Sequence, residues 1–400
     1  MKNTIERIEK LMCTGCGLCS EKCPNNCISM VEDEEGFRFP QINSTKCVEC
    51  GLCLCTCPTT NAADALYSKH DRSYYCGIIN DKEILIKSSS GGLFGALAEY
   101  IIEIGGYVCG CIYTDGLEAV HILSNQRQYI QKMYGSKYVQ SKTEHCFPEI
   151  QSHLKANDTV LFTGTACQIA ALRLYLGKDY SNLYCVEILC HGVPSPGLFR
   201  EYRRYLEKKL GGKVTDIRFR DKHRDGWGSE HRTCIIYEKH GELCEKRPVL
   251  PAYFSSFFYG LNLRESCYQC KFATSERVAD LTMGDFWGSW AKYKKRISEG
   301  ISVVGVNTEK GVALSKAIYN DLEFFDTLSE IEAIKSNDNF THPIKRPVER
   351  NTFYDGVIKS GYEGLWKKTY FSRSYRRKAL TSIYGVLVPE RIRLWVHSLT

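Results

Sequence analysis

The sequence predicts a small α+β unit followed by a larger α/β domain. Two observations carry that expectation. Within the first sixty residues one cysteine spacing occurs twice, with a strand-like stretch between the copies. From residue 84 onward, short β-branched runs end in Gly- or Ser-bearing loops that open helices, which is how open α/β sheets are built. Four hundred residues are enough for two or three domains with a sizeable core. A hydrophobic content of 43% and a charged content of 25% fit a soluble globular protein.

The repeated spacing is Cys13, Cys16, Cys19, Cys23 and Pro24, then Cys47, Cys50, Cys53, Cys57 and Pro58. Both copies read C-x2-C-x2-C-x3-C-P, the bacterial ferredoxin run for two [4Fe–4S] clusters. Three thiolates on a tight loop cup one cluster, and the fourth opens a short helix that leads away to the other. Cys13, Cys16, Cys19 and Cys57 are therefore expected to hold one cluster, and Cys47, Cys50, Cys53 and Cys23 the second. Gly15, Gly17 and Gly51 permit close backbone approach. Zinc sites favour C-x2-C pairs at longer separation without the trailing proline. Cys27 and Cys55 fall outside the register and are expected as packed thiols. Gly36 to Ile42 reads as a strand between the cluster loops.

Twenty-one cysteines without an apolar export segment in Met1 to Lys10 point to a reduced, cytoplasmic, metal-binding protein. No apolar run approaches the ~18 residues that span a bilayer.

The ferredoxin-like domain is assigned to residues 1–66, with the polar stretch Asn61 to Ser73 as its link onward. An α/β domain is assigned to 74–345. There Ser88 to Gly92 opens an apolar helix through Ile104, closed by Gly105-Gly106. Tyr107 to Tyr113 alternates as a strand. Thr159 to Thr163 is a strand followed by Gly164-Thr165-Ala166-Cys167 and a helix through Leu176. Leu183 to Leu189 is a buried strand ending at Cys190-His191-Gly192. A charged amphipathic helix covers Phe199 to Leu210, with strands near Val214 to Phe219 and His231 to Glu238. The aromatic run Tyr253, Phe254, Phe257, Phe258 and Tyr259 is most simply core.

Four further cysteines fall where loops would gather: Cys167, Cys190, and the C-x2-C pair Cys267–Cys270. By spacing alone they could be buried thiols, and the pair alone fits zinc as readily as iron. Cys109 and Cys111, two apart on a strand, read as core.

The same segments carry a family resemblance. Ser89-Ser90-Gly91-Gly92-Leu93-Phe94, Gly135-Ser136-Lys137-Tyr138-Val139 and Gly164-Thr165-Ala166-Cys167-Gln168 begin the ordered set. Cys190-His191-Gly192-Val193-Pro194-Ser195, Cys267-Tyr268-Gln269-Cys270 and Met283-Gly284-Asp285-Phe286-Trp287-Gly288 complete it. The chain resembles the coenzyme F-420 hydrogenase/dehydrogenase beta-subunit family, in a form fused to a two-cluster ferredoxin. The resemblance implies an α/β flavin-binding catalytic domain with FAD beside a third [4Fe–4S] cluster on Cys167, Cys190, Cys267 and Cys270. It also implies hydride exchange with a deazaflavin or another organic acceptor.

For a flavin, Ser89, Ser90, Gly91 and Gly92 offer hydroxyls and a helix N-terminus suited to a pyrophosphate, though an N-cap turn explains them as simply. Gly135, Ser136, Lys137 and Tyr138 are the second candidate segment, with Lys137 placed to neutralise the anionic cofactor. Thr165 and Gln168 flank a proposed ligand and could bond flavin or cluster sulfur. No G-x-G-x-x-G occurs, which argues against a standard NAD site. His191 is the candidate proton donor, Asp285 a candidate to orient the flavin, and Arg218, Arg220, Asp221 and Lys222 candidates for the substrate mouth.

The net charge of +7 equals that of the segment Trp366 to Thr400, with eight Lys or Arg against one Glu. Residues 346–400 thus read as a basic helical tail, a solvated terminus that could meet a membrane surface or a partner. Nucleic acid fits poorly, because no reading motif accompanies this local charge. The expected function is an iron–sulfur flavoprotein oxidoreductase, fed by a low-potential carrier such as ferredoxin or reduced deazaflavin and acting on a small organic substrate. The alternative is an electron-transfer subunit serving a separate hydrogenase or dehydrogenase.

Overall fold

In the computed structural model the described residues are 3–228, 232–248, 252–290, 292–335 and 337–370. The basic segment Arg373 to Trp395 lies outside them. Thirteen strands are described. In chain order they are β1 (Ile28–Glu32), β2 (Arg38–Ile42), β3 (Ser73–Ile79), β4 (Tyr107–Tyr113), β5 (Ala119–Ser124), β6 (Val160–Thr165) and β7 (Leu183–Ile188). They continue as β8 (Lys213–Arg218), β9 (Cys234–Lys239), β10 (Glu242–Lys246), β11 (Leu281–Asp285), β12 (Ser302–Val306) and β13 (Leu322–Leu328).

The larger domain is built on an eight-stranded sheet of order β13-β3-β12-β11-β7-β6-β4-β5. Its centre, β11, β7, β6 and β4, is parallel, and the flanking pairs are antiparallel. Alternate residues serve two layers, as pleating requires. Val108, Leu161 and Val186 join the core of the helix Leu93–Glu103, while Cys109, Phe162 and Cys185 join that of the helix Ala166–Leu176. A third, aromatic core holds Phe199, Tyr202, Phe219, Tyr253, Phe254 and Phe257. The aromatic run is therefore largely core, although Phe258 is exposed.

Several elements were hidden in the sequence. The strand expected over Gly36 to Ile42 is one arm of a hairpin with β1. The Asp33 carboxylate forms its turn by accepting from the Glu35 and Phe37 amides at 3.1 and 3.0 Å. The α/β pattern begins at Ser73 rather than Ile84, with β3 inside the sheet. The polar link is bound to its surroundings. The Ser68 amide donates to Arg277 O at 2.8 Å, and the Tyr67 hydroxyl to Lys271 O at 2.9 Å.

The hairpin turn docks the first domain on the second. Arg350, buried at the start of the helix Arg350–Tyr370, grips the Glu35 carboxylate with two bonds of 2.9 and 2.6 Å. Gly36 has φ +77°, and a Cβ there would stand 2.5 Å from Gly197 Cα. Gly36→Ala combines a left-handed backbone with a backbone collision and is expected to cost about 2–4 kcal/mol. An unchanged urea midpoint in that variant would contradict the docking.

Candidate functional site

The two cysteine runs fold as a pseudo-repeat. Each short helix, Leu18–Glu21 and Leu52–Cys55, starts from a left-handed glycine, Gly17 at φ 76° and Gly51 at φ 77°. Cys13, Cys16, Cys19 and Cys57 line one cavity of about 220 Å³. Cys23, Cys47, Cys50 and Cys53 line a second. The fourth cysteine of each run thus faces the other run's cavity, the crossing that the spacing requires. Burial and mutual repulsion among the thiols push Cys19 well above its ordinary value, a cost that thiolate ligation of iron would relieve. Among the described residues no three ligating side chains close on a single-ion point. Of the two stray thiols, Cys27 is packed as expected and Cys55 is not. Cys55 is exposed, and Cys27 is buried at the second cavity wall with its Sγ 3.2 Å from that of Cys23.

Cys167, Cys190, Cys267 and Cys270 gather at the carboxyl edge of the parallel strands. Cys167 opens the helix after β6, and Cys190 follows β7. Cys267 lies in the turn Glu265–Gln269, with Cys270 just beyond it. Burial pushes the Cys167 and Cys267 thiols up to about 12, and after burial their companions add to the shift. Cys190 is raised by burial and then by Cys267, Cys167 and Cys270. Four thiols in one group supply the ligand number of a [4Fe–4S] cluster.

The two expected flavin segments meet. Ser89 Oγ accepts the Ser136 amide at 2.7 Å, and the two hydroxyls are 2.9 Å apart. The rest of the serine–glycine turn is engaged elsewhere. The Gly91 amide donates to Ser302 Oγ at 2.9 Å, and the Ser90 hydroxyl to Ile301 O at 2.8 Å. A Cβ on Gly91 would lie 2.2 Å from Gly77 O, so this glycine serves close packing on β3. Lys137 donates to the carbonyls of Lys132, Tyr134 and Gly135 at 2.7–3.0 Å. All three donors close the helix Arg127–Met133, and none is left for an anionic cofactor. Gln168 forms a capping box with Thr165 and donates to Ser141 Oγ at 3.0 Å, so its amide holds the helix start. The Thr165 hydroxyl lies 3.1 Å from Cys167 Sγ.

Asp285 ends β11 and accepts from Arg220 and, at 3.2 Å, from Trp227 Nε1. The Tyr138 ring packs edge-on against Phe219, Phe254 and Phe257. His191 Nδ1 lies 3.2 Å from Asn339 Oδ1; burial lowers its pKa, and its Nε2 is buried without a hydrogen-bond partner.

Residues 157–327 match the family model for the C-terminal part of the coenzyme F420 hydrogenase/dehydrogenase beta subunit, and residues 12–61 match the 4Fe-4S dicluster domain. The chain joins a 4Fe–4S dicluster domain to a domain of the coenzyme F420 hydrogenase/dehydrogenase beta-subunit family. A coenzyme F420-dependent sulfite reductase of Methanocaldococcus jannaschii is 24% identical over 393 residues, taking in 92% of this chain and 56% of that protein. The chain thus spans a little over half the length of that relative. A chain of the F420-reducing [NiFe] hydrogenase complex from Methanosarcina barkeri aligns at TM-score 0.42 and 17% identity, over 77% of this chain and 94% of that one.

What joins the dicluster domain to the beta-subunit domain is a set of side chains that no motif announces. Arg264, fully buried, donates from Nε to Cys13 O at 2.6 Å, from Nη2 to Arg38 O at 2.9 Å and from Nη1 to Gln140 Oε1 at 3.1 Å. Gln140 Nε2 donates to Thr14 O at 2.8 Å, and Thr143 Oγ1 to Cys16 O at 2.9 Å. Lys271, next to Cys270, donates to Thr60 O at 2.7 Å. The first cluster loop is therefore fastened by Arg264, Gln140 and Thr143, and the stretch after Cys57 by Lys271. Behind them the buried Glu187 pairs with Arg277 at 3.3 Å and accepts from Thr282 at 2.7 Å.

Lys222 adds a pH dependence. Its Nζ donates to Ser90 O at 2.7 Å and Glu299 O at 2.8 Å, facing Asp285, Arg220 and Glu299. Burial lowers its pKa from 10.5 to about 7, against the opposing pull of Asp285. Folding thus favours the neutral amine. The stability it contributes is full above about pH 10.5 and falls as the pH drops toward 7, below which both states are protonated. Lys222→Met is expected to flatten the thermal midpoint over that interval; an identical pH slope would contradict this.

Proposed function

We propose that this iron–sulfur oxidoreductase, related to the F420-dependent enzymes, is a flavoprotein carrying FAD and a third [4Fe–4S] cluster. It would exchange electrons between its N-terminal clusters and a deazaflavin or small organic substrate. One observation supports this most: Arg264 bonds the Cys13 carbonyl while its own carbonyl accepts the Cys267 amide at 3.0 Å. A single residue thus links a ligand of the first N-terminal set to a ligand of the third. This implies an order in which Cys23, Cys47, Cys50 and Cys53 hold the outer cluster and Cys13, Cys16, Cys19 and Cys57 the inner one.

FAD would be held by Ser89, Ser136 and Tyr138, with Asp285 positioned by Arg220 and Trp227. A flavin there would supply the exchange of two single electrons for one hydride. His191 Nε2, buried and without a partner, is the proposed proton-bearing atom. The Phe254, Phe257 and Tyr138 rings, packed on one another, would exclude water from the reacting edge. Anaerobic purification followed by reconstitution with FAD should give a flavin spectrum and iron for three clusters. Failure to take up FAD would sink the flavin reading.

A second reading, an electron-transfer subunit with a separate catalytic partner, is favoured by the match to a family described as a beta subunit. Stable co-purification with a hydrogenase- or dehydrogenase-type chain would support it.

A further inference from the structure

Charge at the proposed substrate edge does not balance. Arg220, with its side chain 2% exposed, lies between Trp227 and Trp287, its guanidinium carbon 5.3 and 4.9 Å from the two rings. Its Nη2 bonds Asp285, but its Nη1 is buried with no hydrogen-bond partner. Arg232 lies over the Phe254 and Phe258 rings at 5.4 and 5.2 Å, and its side chain has no hydrogen bond or ion pair among the described residues. Burial and the neighbouring Arg220 charge lower the Arg232 pKa to about 10. Lys222 sits against the same group, whereas the nearby Asp221 is taken by His223 and Arg247. Two guanidinium groups therefore share one carboxylate, Asp285, while Lys222, which folding favours as the neutral amine, also faces Glu299, itself paired with Lys82 and Arg296.

Buried like charges persist where a counter-ion completes them, because an unpaired buried guanidinium loses its water for no return. Cationic side chains outnumber carboxylates at this edge, and the Arg220 Nη1 is left without an acceptor. A flat guanidinium fork presents paired N–H groups matched to phosphoryl oxygens. We propose that Arg220, Arg232 and Lys222 form a binding site for a phosphoryl dianion. The site deepens the flavin and substrate reading of this edge and rests on it for the identity of the occupant. Its donor could be the dinucleotide pyrophosphate of FAD or a phosphorylated substrate.

The test uses the full chain with its clusters, unfolded thermally in phosphate-free buffer against inorganic pyrophosphate, with potassium chloride at matched ionic strength. The wild type should be stabilised saturably by pyrophosphate and not by chloride. Arg232→Met keeps the apolar contacts with Phe254 and Phe258 and removes an uncompensated charge. It should melt higher without ligand and bind pyrophosphate at least about tenfold more weakly. Arg232→Lys should retain part of the response. A wild type that ignores pyrophosphate, or an Arg232→Met variant that responds as the wild type does, overturns the site.

Flavin binding then names the source. If Arg232→Met loses affinity for FAD but keeps it for riboflavin, the occupant is the cofactor's pyrophosphate. If both flavins bind as before while pyrophosphate binding falls, the occupant is a phosphorylated substrate. A wild type that binds pyrophosphate but neither flavin removes the flavin reading and leaves the anion site standing.

Discussion

Replacing Arg264 with Met is expected to destabilise the docking of the N-terminal domain by about 3–5 kcal/mol. The substitution leaves the carbonyls of Cys13 and Arg38 and the Gln140 amide oxygen without their donor. It also ends the stacking of the guanidinium on Phe39, 4.2 Å away. Gly15 fits against this side chain, since a Cβ there would stand 2.7 Å from Arg264 Nη1. The loss should appear as earlier proteolysis or denaturant release of residues 1–66, with both N-terminal clusters still assembled in the released unit. Paramagnetic resonance of the reduced protein should also show weaker interaction between the inner and third clusters. A variant with wild-type stability and unchanged spectra would contradict the assignment of Arg264 as the bridge.

The second large effect falls on the third thiol set. Cys190→Ala should lower bound iron by one cubane, about four atoms per chain, and leave the two N-terminal clusters spectroscopically intact. The same loss is expected of Cys167→Ala, because the two thiols belong to one group. Unchanged iron in either variant would mean that these cysteines are packed thiols, as their spacing alone allows. Such an outcome would leave the dicluster domain untouched, because its ligands line separate cavities.

The parts legible in the sequence are those fixed by local chemistry. The crossed cysteine assignment follows from spacing on one loop and one short helix, and both cavities carry it. The strands β4, β6 and β7 and the helices after β6 and β7 were visible because apolar runs end in glycine- or threonine-bearing turns, whereas β5 and the helix Arg127–Met133 were not. What stayed hidden depends on partners distant in sequence. Arg264 and Cys13, like Arg350 and Glu35, pair across most of the chain, and a lone arginine in a loop has no periodic signature. Lys137 shows the reverse error: a lysine in a glycine-bearing turn looks like an anion ligand until the helix it closes is known. Gly91 similarly looks like a phosphate cradle until Gly77 O is found against it. The strands β11 and β12 are short and carry glycine, so their pairing with β7 and β3 decides them more than their propensity does.

On the proposed path, electrons cross from the N-terminal clusters through the third cluster to a flavin at the sheet edge. The decisive experiment is anaerobic mixing of the FAD-reconstituted protein with a reduced ferredoxin-type donor, with the flavin absorbance followed in the wild type and in Cys190→Ala. Rapid bleaching of the flavin is expected in the wild type. In the variant the flavin should stay oxidised while the N-terminal clusters are reduced. Equal bleaching in both proteins would contradict the order of the path.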